Sequence, residues 1–402
     1  MWSAETFGSI GIPNERATAS FVFVLFRNLV KHSTQLTTGP LVRKTPLNSW
    51  HHTHNGRMVD FAGWEMPVQY SSIVEEHSAI RKAVGLFDIS HMGRLQFRGD
   101  LADEFLNGIL TNDTSKLRVG NVRYSLVCGK DGGILDDVLV YRLSDRWEMV
   151  VNASNREKLI DWLSNSAGFA AIEFTDATLH TGMIAVQGPR ALELLGRASS
   201  LPLGEMNYYT TADVTLLDAP ALVSRTGYTG EDGFEIVVPA NETERIWQKL
   251  MEEGSSLGVV AAGLGCRDTL RLEAAMPLYG HELNETIDPL TAGLAFAVKF
   301  HKPEFIGKAA LEQIRSAGLK MARVGLLLEG RRIAREESQV LINGEPVGRV
   351  TSGTFSPTLQ KVIAMAYVPR QFSTVGTKVE ISLRGTLISG EVSNLPFYKR
   401  NN

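Results

Sequence analysis

Apolar and polar positions follow two different patterns along the chain. Between about residues 46 and 300, short strand-like apolar runs are interspersed with segments whose apolar residues recur at helical spacing. After about residue 317 the helical spacing disappears, and short strands separated by turn residues follow one another. We therefore expect an α+β region followed by an all-β C-terminal module.

Two Ser-x-x-Glu patterns predict the starts of helices. Ser72 and Glu75 fit a capping box, in which the serine side chain accepts a hydrogen bond at the first turn. The helix that they open is predicted to close at Gly85. Ser154 and Glu157 fit a second capping box before another apolar run at helical spacing.

Glycine-rich loops join two pairs of predicted strands. The first pair covers residues 124–128 and 134–141, and residues 129–133 connect them. Glycine readily adopts the positive φ that a tight turn needs, so this segment is predicted to be a β-hairpin. The second pair covers residues 221–225 and 234–238, which bracket the loop at residues 227–233. Further strands are expected at residues 149–151 and, in the C-terminal module, at 324–328, 340–342, 362–367, 379–383 and 390–392.

Composition excludes several classes of protein. The chain is 44% hydrophobic and 21% charged, as globular proteins are, and its formal net charge of -3 gives no field that would gather nucleic acid or anionic lipid. No apolar run approaches the ~20 residues that span a bilayer. Cys128 and Cys266 are far apart and form no Cys-x-x-Cys pattern, so we expect no disulfide framework and a reducing compartment.

Histidines are clustered at one place. His51, His52 and His54 could suggest a metal site, but no cysteine or Glu-x-x-His partner accompanies them. We expect a solvated loop there and no metal.

Residues 1–45 differ in composition from the rest of the chain. They are rich in serine, threonine and arginine, yet they contain Glu5 and Glu15, which transit peptides usually avoid. A disordered leader or a mis-assigned start is the favoured interpretation. The expected location is cytoplasmic if the source is bacterial, with the mitochondrial matrix as the less favoured alternative.

Asp136 and Asp137 interrupt a strand that is otherwise apolar on both faces. Burying an ionised carboxylate costs several kcal/mol unless it is hydrogen-bonded or paired. In one interpretation, one aspartate caps a loop or pairs with an arginine and the other faces solvent on an edge strand. In the other, Asp137 presents its carboxylate inside an aromatic, apolar pocket that suits a heterocycle.

Two further segments carry candidate ligand contacts. Glu235 follows the loop at residues 227–233, and its carboxylate could accept paired N–H donors from a pterin-like ring or lie on a half-exposed surface. Arg267 and Arg271 are one turn apart on a predicted helix at residues 265–273. They could form structural ion pairs, pair with Glu235, or bind a substrate carboxylate.

Taken in order, eight motifs resemble the glycine cleavage T-protein family. They lie at residues 58–70, 86–93, 132–137, 185–189, 227–235, 278–280, 305–308 and 350–353, and the resemblance runs from about residue 44 to residue 400. It implies a cloverleaf of two related folate-binding α+β lobes at residues 46–300 and a C-terminal all-β barrel domain at residues 318–400.

The resemblance also implies an activity. Members transfer the one-carbon unit of the aminomethyl-lipoyl H-protein to tetrahydrofolate, giving 5,10-methylenetetrahydrofolate, ammonia and dihydrolipoyl H-protein. Tetrahydrofolate is then the acceptor substrate, and the H-protein is the partner, with the P- and L-proteins in the same pathway. Carried over by motif, Asp137 is the expected catalytic residue. The expected folate contacts are Tyr124, Val151, Tyr228, Glu235, Arg267 and one of Lys399 and Arg400.

Two alternatives stay open at this point. The same fold family contains folate-binding repair proteins for iron-sulfur enzymes, whose loop has a Lys-Gly-Cys-Tyr-x-Gly-Gln-Glu type sequence, whereas residues 226–232 here read Thr-Gly-Tyr-Thr-Gly-Glu-Asp. A related transferase with another methyl or aminomethyl donor is the second alternative.

Overall fold

Strand pairing divides the chain into two lobes and a barrel. The computed structural model describes residues 42–199 and 202–400. The α-helices in this part of the chain are α1 Asn48–Thr53, α2 Ile73–Lys82, α3 Ala102–Ile109, α4 Arg156–Ser164, α5 Ala191–Ala198, α6 Thr243–Gly254, α7 Leu264–Glu273 and α8 Lys308–Ala317.

The strands alternate with these helices as far as residue 262 and follow one another after residue 320. They are β1 Arg43–Lys44, β2 Arg57–Phe61, β3 Trp64–Gln69, β4 Val84–Asp88, β5 Gly93–Arg98, β6 Val122–Cys128, β7 Ile134–Arg142, β8 Trp147–Val151, β9 Glu173–Asp176, β10 Thr181–Gln187, β11 Thr211–Leu216, β12 Ala219–Ser224, β13 Gly233–Pro239, β14 Val259–Ala262, β15 Met321–Leu328, β16 Gln339–Ile342, β17 Glu345–Ser356, β18 Lys361–Pro369, β19 Lys378–Leu383 and β20 Thr386–Ser393.

The first lobe contains a six-stranded sheet in the order β11-β12-β13-β10-β4-β14. Its pairs are antiparallel except for β14, which runs parallel to β4. Glu235 lies in the central strand β13, opposite Ala185 of β10 and Ser224 of β12. The predicted strands at residues 221–225 and 234–238 are therefore confirmed within a residue or two.

The second lobe contains a five-stranded antiparallel sheet in the order β6-β7-β8-β5-β9. The predicted hairpin is confirmed as β6 and β7, with Gly132 at a φ of +87° in the turn. A Cβ on Gly133 would lie 1.8 Å from the carbonyl oxygen of Glu285, so only glycine fits there. Strand β7 lies between β6 and β8, which excludes an edge-strand position for Asp136 and Asp137.

The C-terminal strands close into a barrel in the order β15-β18-β17-β16-β19-β20, with β20 hydrogen-bonded back to β15. The predicted fold class, α+β with an all-β C-terminal barrel, is confirmed. The prediction missed β17, the long strand that contains Gly348 and Gly353. These glycines weaken a strand pattern in sequence, but here they allow close approach, because a Cβ would lie 2.2 Å from the Tyr367 carbonyl oxygen or 2.3 Å from that of Ala334.

One predicted helix cap is confirmed and the other is wrong. The Ser72 side chain accepts a hydrogen bond from the Glu75 backbone at the start of α2. Gly85, however, lies inside β4 rather than at the helix end. Helix α4 begins after Asn155, with no side-chain cap, so Ser154 does not cap it.

The histidine cluster is structured rather than a solvated loop. His51 lies in α1 with 0% of its surface exposed, and its Nε2 is 2.9 Å from Oδ2 of Asp88. The prediction failed for His51 because α1 presents it inward, against a buried carboxylate. Most of the predicted leader lies outside the described residues, and Arg43 and Lys44 at its end form β1, which pairs with β3.

Candidate active site

A cavity of about 820 Å³ lies where the two lobes meet the barrel. This volume is typical of a site for a small organic ligand. Both lobes, α7 and the barrel strand β15 contribute to its wall. Residues that line it include Phe61, His91, Met92, Tyr124, Asp137, Val150, Asn152, Met183, Tyr209, Thr226, Tyr228, Glu235, Leu264, Arg267, Tyr279, Phe296 and Arg323.

Asp137 reaches the cavity from the middle of β7. The Tyr124 hydroxyl donates a hydrogen bond to its Oδ2 at 3.1 Å, and the Asn152 amide donates to its Oδ1 at 2.8 Å. Among the described residues, no lysine, arginine or histidine forms an ion pair with it. Burial raises the pKa of Asp137 to about 6. A carboxylate without a cationic partner in the wall of a cavity is suited to a ligand that develops positive charge.

Asp136 points to the opposite side of β7 and is 0% exposed. Its oxygens accept hydrogen bonds from the Asn152 backbone at 3.1 Å, the Asn152 amide at 2.8 Å and the Asn155 amide at 2.6 Å. Burial, and then the charge of Asp137, raise the pKa of Asp136 to about 7. The pKa values of both neighbouring carboxyls are thus raised above the ordinary value of an aspartate.

Glu235 and Arg267 are on the first lobe's side of the cavity. The Thr226 hydroxyl donates to Oε2 of Glu235 at 2.6 Å, and burial raises the pKa of this carboxyl. The Arg267 guanidinium lies over the Tyr228 ring at 4.9 Å, and its Nη1 has no hydrogen-bond partner within the described residues. A pair between Glu235 and Arg267, one of the alternatives that the sequence left open, is not among the ion pairs of the described residues. Both groups therefore keep hydrogen-bonding capacity for a ligand.

The loop at residues 227–233 shapes this side of the cavity. The Tyr228 hydroxyl donates to the Pro277 carbonyl oxygen at 2.5 Å, which fixes the ring beside Arg267. Gly230 has a φ of +80°. A Cβ on Gly227 would lie 2.0 Å from the Gln187 side chain, so the loop packs too closely for a larger residue.

Arg271, one turn after Arg267, has a structural role. It is 1% exposed, and its guanidinium donates to Asp268, Glu282 and Ser352 at 2.8 Å each. Since Ser352 belongs to β17, these bonds join α7 to the barrel. The interpretation of Arg271 as a residue of structural ion pairs is therefore the one that the contacts support, and its link to the barrel is the hydrogen bond to Ser352.

Three predicted ligand residues lie elsewhere. Val151 is fully buried in the core of the second lobe, and its neighbour Val150 lines the cavity instead, because adjacent strand residues face opposite sides. Lys399 is exposed and lies outside the cavity wall. Arg400 also lies outside it, with Nη1 3.5 Å from Oδ1 of Asp232. None of these three residues lines the cavity, and their contact with folate stays a prediction.

Several lining residues escaped the sequence reasoning. Asn152 follows β8 and donates to both aspartates, and only the position of a polar residue just after an apolar strand could have signalled it. His91 has an Nδ1 with no hydrogen-bond partner among the described residues, and burial lowers its pKa to about 3, so the ring is neutral. Arg323 comes from β15 of the barrel, and nothing in the sequence pattern brings it near the lobes.

Comparisons with known proteins agree over most of the chain. The family model described as GCVT N-terminal domain matches residues 47–302, and the model described as Glycine cleavage T-protein C-terminal barrel domain matches residues 322–399. The chain belongs to the glycine cleavage T-protein family. An aminomethyltransferase of Symbiobacterium thermophilum is 46% identical over 366 residues, which are 89% of this chain and 98% of the relative.

Other members of the family extend this result. An aminomethyltransferase of Halothermothrix orenii is 45% identical over 357 residues, covering 89% of this chain and all of the relative. The crystal structure of glycine cleavage system aminomethyltransferase T from Bartonella henselae superposes with a TM-score of 0.83 at 35% identity, covering 89% of this chain and 98% of that one. The predicted family and enzyme class, a folate-dependent aminomethyltransferase of the glycine cleavage system, are confirmed.

Membrane-spanning helices and clustered metal ligands are both absent from the described part of the chain. Among residues 42–199 and 202–400, no helix is long and apolar enough to cross a membrane. Within the same two ranges, no group of three or more histidine, cysteine, aspartate and glutamate side chains is arranged to hold a metal ion.

Proposed function

We propose that the cavity is where the one-carbon unit of an aminomethyl-lipoyl H-protein is transferred to tetrahydrofolate. The products are 5,10-methylenetetrahydrofolate, ammonia and dihydrolipoyl H-protein. The observation that carries the proposal is Asp137, a partly buried carboxylate with no cationic partner among the described residues, in the same cavity as Glu235 and Arg267.

The first lobe's side of the cavity fits a pterin-type ring. Such a ring presents a row of N–H donors and acceptors on one edge and an aromatic face. Glu235 offers a buried acceptor, Arg267 offers an unused donor, and Tyr228 offers a ring held in place by Pro277. A buried polar group without a partner costs about 1–3 kcal/mol, so a ligand that pairs with Arg267 binds with that much advantage.

Asp137 is assigned the stabilisation of positive charge. The aminomethyl group becomes cationic as ammonia leaves, and a fixed carboxylate stabilises that charge far more in a dry cavity than in water. Tyr124 and Asn152 hold the carboxylate by hydrogen bonds without neutralising it. Bound substrates that fill the cavity would also displace water from the reactive carbon.

Partners and location follow the same proposal. The carrier is a lipoylated H-protein, with the P- and L-proteins acting in the same pathway, and the proposed transfer requires no metal. The relatives from Symbiobacterium and Halothermothrix are bacterial, which supports a cytoplasmic location over the mitochondrial matrix. We also propose domain bounds of residues 46–300 for the lobes and 318–400 for the barrel.

The test is tetrahydrofolate-dependent release of ammonia from aminomethyl-lipoyl H-protein. The unaltered chain is expected to release ammonia and Asp137→Ala to lose that activity. Tight folate binding by a folded chain that releases no ammonia would favour a folate-holding scaffold. Activity with a different methyl donor, and none with the lipoyl carrier, would favour the related transferase.

A further inference from the structure

Asp136 is a buried carboxyl to which the proposed transfer gives no direct part. Its side chain lies behind β7, outside the cavity wall, and it is 0% exposed. A carboxyl in this position is expensive to bury, and an apolar residue would fill the space between packed strands more stably. Any contribution of Asp136 to the cavity therefore has to pass through the residues that it contacts.

The amide of Asn152 connects the two aspartates. Its Nδ2 donates to Oδ1 of Asp136 and to Oδ1 of Asp137, each at 2.8 Å. An amide nitrogen carries two hydrogens, so one Asn152 can serve both carboxyls at once. Asp136 also receives the Asn152 backbone N–H and the Asn155 amide, and these bonds fix where Asn152 sits. The direction of the Asp137 carboxylate thus depends on an amide that Asp136 holds.

The described surroundings of the pair contain no cation in direct contact that would offset two negative charges. The titratable groups that face it are Tyr124 from β6, Tyr228 from the loop at residues 227–233, and Tyr279. Cationic groups act one step away: Arg323 beside Tyr124, Arg267 and Arg271 beside Tyr228, and Lys158 beside Tyr279. Two adjacent carboxylates without a counter-ion resist a second ionisation, as coupled acids do.

We propose that Asp136 is a positioning residue that, through Asn152, holds the Asp137 carboxylate in one orientation and opposes a second negative charge on the pair. The effect on turnover rests on the proposed function. The effect on the titration of Asp137 does not, because it is a property of the chain without substrate.

Asp136→Asn tests both effects. NMR of the full chain with 13C-labelled aspartate carboxyls should show Asp137 titrating in two steps in the unaltered protein. In Asp136→Asn it should titrate in a single step that is complete at lower pH. In the ammonia-release assay, the acidic side of the variant's kcat–pH profile should likewise show a single ionisation that is complete at lower pH. Looser positioning of Asp137 should reduce kcat ~10-fold and leave the folate KM little changed.

Asn155→Ala provides a second variant that leaves both carboxyls in place. It removes one donor to Asp136, which favours the protonated form, so the upper titration step should move to higher pH while the lower step stays. Glu148→Gln is the matched control. Glu148 is a buried carboxyl of the neighbouring strand β8, bonded to Arg146 and outside the cavity wall, and its change should leave both steps unmoved.

The outcomes separate the two proposals. The role of Asp136 would be overturned if Asp137 titrated in Asp136→Asn as it does in the unaltered chain. It would also be overturned if Asp136→Asn lost the same fraction of kcat at every pH and Glu148→Gln lost as much. An unaltered chain that releases no ammonia would contradict the proposed function, and the NMR titration would still decide whether Asp136 acts on Asp137.

Discussion

Asp137→Asn isolates the charge of the proposed catalytic carboxylate from its shape. Asparagine can accept the hydrogen bond from Asn152 through its oxygen and donate to the Tyr124 hydroxyl through its nitrogen, so both contacts of the side chain survive. What the substitution removes is one negative charge from the cavity wall. We therefore expect tetrahydrofolate affinity within about an order of magnitude of the unaltered chain, since a single hydrogen bond is worth ~1 kcal/mol.

The expected loss of turnover can be sized from electrostatics. A full positive charge ~4 Å from a carboxylate, at an effective dielectric constant of ~20, is stabilised by ~4 kcal/mol. Only part of that charge develops in the transition state, so ~3–4 kcal/mol is at stake, a loss of ~10²–10³ in kcat. Single-turnover ammonia release with folate saturating measures this directly. A variant that no longer binds folate but keeps its residual rate of ammonia release would refute the catalytic assignment of Asp137.

The same variant predicts a pH-dependent change in stability. Burial raises the pKa of Asp137 from 3.8 to about 6, so its contribution to stability is fully present below pH 3.8 and is lost as the pH rises through about 6. Asparagine does not titrate and loses nothing over that range. In urea unfolding, the free energy of unfolding of Asp137→Asn should rise relative to that of the unaltered chain as the pH rises from 3.8 through about 6. A difference in unfolding free energy that does not change with pH would contradict this prediction.

Three further substitutions test other parts of the molecule. Glu235→Gln should weaken tetrahydrofolate binding ~10-fold with a smaller effect on kcat, measured by calorimetry, because a charged acceptor is lost from the binding contact. Arg271→Ala leaves Glu282 buried without its guanidinium, and should lower the free energy of unfolding by ~3–5 kcal/mol in urea titrations. Against the effect of burial, hydrogen bonding from His77 helps to lower the pKa of Glu273 from 4.5 to about 2, so this carboxyl stabilises the chain above pH 4.5 and ceases to as the pH falls through about 2. Glu273→Gln should therefore reduce the loss of unfolding free energy at acidic pH, measured by following unfolding with circular dichroism.

Local patterns predicted much of the fold because their causes are local. The Ser72 cap, the β6–β7 hairpin and the strands that flank residues 227–233 each depend on a few neighbouring residues. The failures depend on distant ones. Gly85 looks like a helix end, yet it lies in β4, where a Cβ would come within 2.5 Å of Ile80. His51 looks solvated in the sequence, but it is hydrogen-bonded in the core to Asp88, 37 residues away.

The site shows the same division. Strand alternation placed Asp137 in a pocket, as the structure has it, because its own strand decides which way it faces. Alternation also explains why Val150 lines the cavity while the Val151 side chain packs in the core. The contribution of Asn152 to both aspartates, and of Arg323 from the barrel, arises only when separate elements meet in space. The periodicity of apolar residues carries no information about contacts between elements that are distant in the sequence.

The cavity wall has a consequence for how the chain responds to its ligand. Because both lobes and β15 contribute to it, a molecule that fills the cavity recognises only the fully assembled chain. Mass action then shifts folding toward that state by ~2.7 kcal/mol when free ligand is at 100 times its Kd. Folate supply would thereby set not only the rate of the reaction but also the amount of folded enzyme that escapes proteolysis.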